Sequence, residues 1–275
     1  MNDNSITDIG PWSEMKIEIV RAYAAAYAKV LARQPFLKFA YVDAFAGAGR
    51  HISRTTGMEV QGSPRAVLEV EPAFHEYHFV ELDQDRANEL EPLKAIRPGR
   101  VHIHVGDSNQ ILPTEILSRF QYNKYWRALL LVDPYSIDLD WKVTSTAGQL
   151  RTIDTFINFM VMDANMNALL RNPEKITVQQ RQRMTRIWGD DSWLEVMYTR
   201  EKGLFDDINF VSKQPNETLA KAFRQRLIDN AGFKFAADPL PVHNTKGPLL
   251  YYLFFACANN TGYNIAKYLL DKYRN

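Results

Sequence analysis

The chain has 275 residues, 46% of them hydrophobic, which suffices for a sizeable core and excludes a disordered polypeptide. Its 33 basic and 32 acidic residues leave a formal net charge of +1, so no global field draws it to nucleic acid, although a local basic patch fits inside a neutral total. The single cysteine, Cys257, excludes an intrachain disulfide and any cysteine-clustered zinc or iron–sulfur site.

The first ten residues lack the basic, apolar, small-residue succession of a signal peptide. No stretch approaches the roughly 18 uninterrupted apolar residues of a membrane helix, so a soluble, cytoplasmic protein without membrane attachment is expected. Residues 13–33 predict an amphipathic helix: Ser13 can cap it, and Ile17, Val20, Ala24, Tyr27 and Leu31 fall on one stripe. Short apolar runs follow at 39–45, 76–82, 100–106, 127–135 and 155–162, spaced by helix-length segments, as buried parallel strands in βαβ units require. After Gly62 a helix is expected over RAVLEVE, with Ser63 as its N-cap and Pro64 as its first residue.

Residues 164–230 break this rhythm, because 167–188, 192–200 and 216–232 all carry helical patterns; they predict a helical insertion, or a cap over the open edge of the sheet. Strand character returns at 232–244 and, after a Lys246-Gly247-Pro248 turn, at 249–258, before a last helix over 264–273. The order predicts a single α/β domain over 1–275. Its fold class is the Rossmann-like one of S-adenosylmethionine (SAM)-dependent methyltransferases: a mainly parallel seven-stranded sheet, an antiparallel terminal strand and the helical insertion.

Candidate cofactor residues collect at strand ends. Asp43 closes the first run and leads into Phe45, Gly47 and Gly49, where missing Cβ atoms let the backbone approach an amino-acid moiety and Asp43 can meet its ammonium group. Alone, that glycine pair is also explained by a structural turn. Glu81 ends the second run, where an acid accepts hydrogen bonds from ribose hydroxyls; Asp83 suits a helix cap better. Asp107 ends the third, placed for an adenine amine, with Ser108 and Asn109 beside the ring. The loop lacks the third glycine of a dinucleotide fingerprint, so the set points to SAM rather than to a nicotinamide cofactor.

The fourth run ends in Asp133, Pro134 and Tyr135, where amino-methyltransferases carry [Asp/Asn]-Pro-Pro-aromatic: a polar side chain and a carbonyl accept from an exocyclic amine and a ring stacks on the base. The second proline is missing here, which weakens the inference to adenine, and a strand-ending turn with a packed tyrosine is the plain alternative. His102 and His104 share a strand face without a third ligand, so no metal site is expected. Arg181, Arg183 and Arg186 lie on one helix, by default a solvated face and otherwise a phosphate contact. Asn165, Asn167, Asn244, Thr245 and Lys246 fall at edges, and Cys257 sits in an apolar run as a buried, inert thiol.

With FAYVDAFAGAG, QGSPRAVLE, FVELD, VGDSN, RALLLVDPYSIDLDW, IWGDDSW and VHNTKGPLLYYLFFA, in that order over residues 39–258, the chain resembles the bacterial three-Cys-motif partner protein (TcmP) family. The resemblance implies a SAM-methyltransferase-like domain beside a partner with a three-cysteine, radical-SAM-like motif. It carries Asp43, Gly47, Gly49, Glu81, Asp107, Asp133 and Tyr135 into functional positions. It names no substrate. Two functions are therefore expected: a methyltransferase acting on an amine of a nucleic acid or nucleotide-like substrate, or a non-catalytic binding module for the cysteine-motif partner.

Overall fold

Alternation of side chains along the strands decides how the chain is layered. The computed structural model describes residues 7–53, 57–202 and 209–274. Its main sheet comprises β1 (Lys38–Asp43), β2 (Glu76–Glu81), β3 (Val101–Val105), β4 (Trp126–Val132), β5 (Ile153–Phe159), β6 (Phe235–Ala236), β7 (Leu240–His243) and β8 (Leu249–Cys257). The spatial order is β3-β2-β1-β4-β5-β8, with β6 and β7 both along the outer side of β8. Strands β1 to β5 pair in parallel, while β8 runs antiparallel to β5 and to β6 and β7. Pro239 lies between β6 and β7 and has no N–H to donate, so one edge strand is broken into two short ones. Taken as one position, they complete the Rossmann-like, mainly parallel seven-position sheet with its antiparallel terminal strand.

The helices are α1 (Pro11–Leu31), α2 (Ser63–Leu68), α3 (Gln84–Leu90), α4 (Ser108–Ile111), α5 (Trp141–Leu150), α6 (Val161–Asn167), α7 (Val178–Trp188), α8 (Trp193–Met197), α9 (Asn216–Asp229) and α10 (Asn260–Lys272). Phe39, Tyr41, Leu129, Leu131, Leu253 and Phe255 turn to one face, against α1, α2, α3 and α10. Ala40, Val42, Leu130, Val132 and Phe254 turn to the other, against α5 and the α7 to α9 segment. The connection from β1 leads to β2 on one side and that from neighbouring β4 leads to β5 on the other, which opens a crevice between the carboxyl ends of β1 and β4.

Several expectations shift. Helix α1 starts at Pro11, whose fixed φ suits a first helical turn, rather than at Ser13. Gly62, not Ser63, is the N-cap of α2, which leaves the Ser63 hydroxyl for another partner. The fifth strand stops at Phe159 and α6 begins at Val161. The expected helix over 192–200 ends at Met197, and Tyr198–Lys202 pairs antiparallel with Asn209–Lys213; alternation in YTREK and NFVSK outweighs helical propensity there. The 164–230 segment packs on a sheet face rather than over its edge: Phe223 of α9 meets Phe159 at 4.9 Å and Phe254 at 5.0 Å.

Candidate functional site

A cavity of about 470 Å³ opens where β1 and β4 end. Phe45 and Gly47 line it from the loop after β1, Asp133, Pro134 and Tyr135 from the end of β4, and Ser63 from the start of α2. The loop geometry follows from its residues. Gly47 has φ +60°, a left-handed value that costs side-chain-bearing residues energy, and its N–H donates to Glu81 Oε2 at 2.8 Å. Gly62 approaches so closely that a Cβ there would stand 2.8 Å from the carbonyl carbon of Gly49. Glu81 Oε1 accepts the Asp83 N–H at 3.0 Å, so the buried carboxylate spends two of its roughly four acceptor positions on backbone and keeps the rest. Asp83 itself caps α3, accepting the Arg86 N–H at 2.9 Å.

Asp43 does not line the cavity; it lies fully buried one layer beneath, joined to it through Ser63, whose hydroxyl donates at 2.6 Å. Tyr41 and the Phe45 N–H donate at 3.3 Å each. Burial pushes the Asp43 carboxyl up to about 6, against the pull of the Ser63 hydrogen bond. A cationic neighbour would favour its ionised form, and Ser63 can relay that contact.

The Asp133 end of the cavity holds residues that the motif reading missed. Lys16 of α1, 7% exposed, reaches Asp133 Oδ2 at 2.5 Å. Asn158 of β5, 2% exposed, donates from Nδ2 to Asp133 Oδ1 at 2.6 Å. Lys16 also lies 5.2 Å from the centroid of the Tyr251 ring, and Tyr251 donates to the Trp12 carbonyl at 2.9 Å. Two signals could have found these residues. Lys16 sits at helical spacing from Val20, Tyr23, Ala24 and Tyr27, a cation on the buried stripe, and Asn158 interrupts an apolar strand. Tyr135, 60% exposed, stands over the mouth with its hydroxyl 3.8 Å from where a Gly47 Cβ would be, and Arg86 lies 5.9 Å from its ring centroid.

The remaining candidates are placed nearby but not on the cavity wall. Gly49, at φ +73°, packs against Leu90 and Leu93 and accepts the Gly62 N–H, which makes it a loop-shaping residue. Asp107 caps α4, accepting the Asn109 N–H at 2.9 Å. The Ser108 hydroxyl donates to the Ala44 carbonyl, and the Asn109 side chain ties to the Asp138 carbonyl at 3.1 Å and the Asp140 N–H at 2.7 Å. These contacts fix the third strand end beside the loop after β1.

Arg181 pairs with Asp191 at 2.6 Å, Arg183 with Asp163 at 3.1 Å and Arg186 with Asp140 at 2.6 Å, so the helix face offered as a phosphate contact is neutralised by its own carboxylates. Asn165 bridges Lys213 and Asn216, Asn167 donates to Asp163, and Asn244 lines the cavity. His102 and His104 gain a neighbour in His78, which contacts His104 at 3.1 Å and Glu76 at 3.0 Å. Among the described residues no group of histidine, cysteine and carboxylate side chains is arranged to hold a metal ion. Burial holds His104 down at about 4 and pushes the Cys257 thiol up, in keeping with an inert cysteine. Among the described residues, no helix is long and apolar enough to cross a membrane.

No protein-family model and no curated protein matches the chain. Among solved structures it is similar to protein LPL1258 of Legionella pneumophila, with 9% identity over 94% of this chain and 91% of that one and a TM-score of 0.49. It is also similar to a SAM-dependent methyltransferase of Clostridium acetobutylicum, with 10% identity over 88% and 92% and a TM-score of 0.37. A third is the putative methyltransferase yhhF of Escherichia coli, with 11% identity over 86% of each chain and a TM-score of 0.32.

Proposed function

We propose that the chain is a SAM-dependent methyltransferase acting on an amine of a nucleic acid or nucleotide-like substrate. The observation that carries this reading is a single cavity joining the Gly47 turn to Asp133, Pro134 and Tyr135 across the switch point between β1 and β4. The residues present fit the cofactor: Gly47 bares its backbone, Asp43 behind Ser63 suits an ammonium group, and Glu81 keeps acceptor positions for ribose hydroxyls. Asp107, Ser108 and Asn109 would flank the adenine. Bound there, SAM supplies an electrophilic methyl group.

The chain's own part is alignment. Asp133 and the Pro134 carbonyl accept from the amine and turn its lone pair toward the methyl carbon, and Tyr135 covers the ring. Lys16 and Asn158 hold the Asp133 carboxylate in one orientation while leaving it lone pairs to use. Calorimetry with S-adenosylhomocysteine (SAH), followed by methyl incorporation from labelled SAM into RNA and DNA pools, tests the reading. Binding, with incorporation abolished in Asp133→Ala, is expected; absence of SAH binding overturns it.

A second reading rests on the same contact. Both Asp133 oxygens already have a partner, as suits a site kept for structure in a non-catalytic module, and the resemblance to the TcmP family supplies a cysteine-motif protein as its partner. Capture of that protein by a chain that binds SAH and transfers no methyl group would favour this reading.

A further inference from the structure

A second cavity, of about 290 Å³, lies at the opposite pole of the sheet, where β4 and β5 begin and α10 starts. We propose that it is a binding site for a small molecule carrying a phosphate or carboxylate group. Three independent features of its wall select an anion.

Tyr27 of α1 is 7% exposed, and its hydroxyl is buried without a hydrogen-bond partner. Leaving such a group unpaired costs about 1–3 kcal/mol, so a buried orphan on a cavity wall marks a donor awaiting an acceptor. Arg127 and Arg151 also line the cavity, and neither forms an ion pair with a carboxylate of the described residues. Arg127 is held in place: its guanidinium lies 4.6 Å from the centroid of the Tyr122 ring and donates to the Trp126 carbonyl at 2.7 Å. Thirteen-residue α10 begins at the same space, with its Gly262 N–H capped by Asn259 Oδ1 at 2.6 Å and the positive end of its dipole turned to the cavity at Thr261.

The one acid on the wall, which Arg127 helps to keep ionised, offsets one of these two charges and leaves the other. Asp154 is buried and already receives the Tyr23 hydroxyl at 2.7 Å and the Asn259 amide at 3.1 Å. Two guanidinium groups, a helix N-terminus and a free hydroxyl against one occupied carboxylate leave a cationic pocket. The volume accommodates an anionic group on a small body, not a polymer.

Binding to the 275-residue chain, followed by calorimetry and thermal melting, distinguishes the sources of the anion: inorganic phosphate, adenosine monophosphate and citrate are titrated beside neutral adenosine. At least one anion is expected to bind and raise the melting temperature, with adenosine inert. Arg151→Gly suits the left-handed backbone at φ +57° and so keeps the fold; it should weaken that anion about tenfold. Tyr27→Phe should weaken it about fivefold while leaving the unliganded melting temperature unchanged or higher, because only an unpartnered hydroxyl is removed. The proposal is overturned if none of the three anions binds, or if the bound anion is held equally by both variants.

Discussion

Two aspartates, Asp43 at the carboxyl end of β1 and Asp154 near the start of β5, are fully buried and pushed up to about 6 by burial. Each is held by hydroxyl and amide donors rather than by a cation: Asp43 by Ser63, Tyr41 and the Phe45 N–H, Asp154 by Tyr23 and Asn259. Their surroundings differ. Asp43 stands behind a glycine turn that exposes backbone to a cavity, whereas Asp154 ties α1 and the N-terminus of α10 to the sheet. A raised carboxyl alone therefore does not single out the proposed reaction site; the bare backbone and the Asp133 cluster beside it are what the proposal rests on.

The largest effect that would break this contrast lies at Asp133. Asp133→Ala should lower methyl transfer by about a thousandfold while SAH affinity changes little, because the substitution removes an acceptor for the amine and leaves the Lys16 charge unpaired. Equal loss of SAH binding would place Asp133 in cofactor binding instead.

Next comes pH. A carboxyl raised in the fold binds more protons than its unfolded counterpart between about pH 4 and 6, so each aspartate lowers stability as pH rises through that window. The stability difference between Asp154→Asn and the parent, from urea unfolding, should shift in favour of the variant by up to about 3 kcal/mol from pH 4 to pH 7. A flat difference would show that Asp154 titrates normally.

A smaller effect separates the two poles by ligand. Asp43→Asn should weaken SAH binding about tenfold at pH 7, whereas Asp154→Asn should leave it unchanged; calorimetry on both reads the difference. The smallest is Gly47→Ala, which must adopt φ +60° and should cost about 1 kcal/mol, seen as a severalfold loss of SAH affinity and a slightly lower melting temperature.

The sheet and the carboxyl-end crevice were legible because apolar runs, Gly47 and Asp133-Pro134-Tyr135 are local signals. What stayed hidden is long-range. Lys16 lies over a hundred positions from Asp133, and only the packing of α1 on the sheet brings them to 2.5 Å. Asp154 precedes the apolar run at 155–162, and nothing near it in the sequence announces Tyr23 or Asn259. The Ser63 hydroxyl was assigned to a helix cap because Ser-Pro usually opens a helix; burial of Asp43 without a cation gave that hydroxyl a stronger claim.

The most direct test of the methyltransferase reading is a crystal structure of the protein grown with SAH. The amino-acid end of SAH is expected against the Gly47 turn and Ser63, its ribose hydroxyls on Glu81, and its sulfur facing Asp133. SAH bound away from this crevice, or absent from it at saturating concentration, would contradict the account.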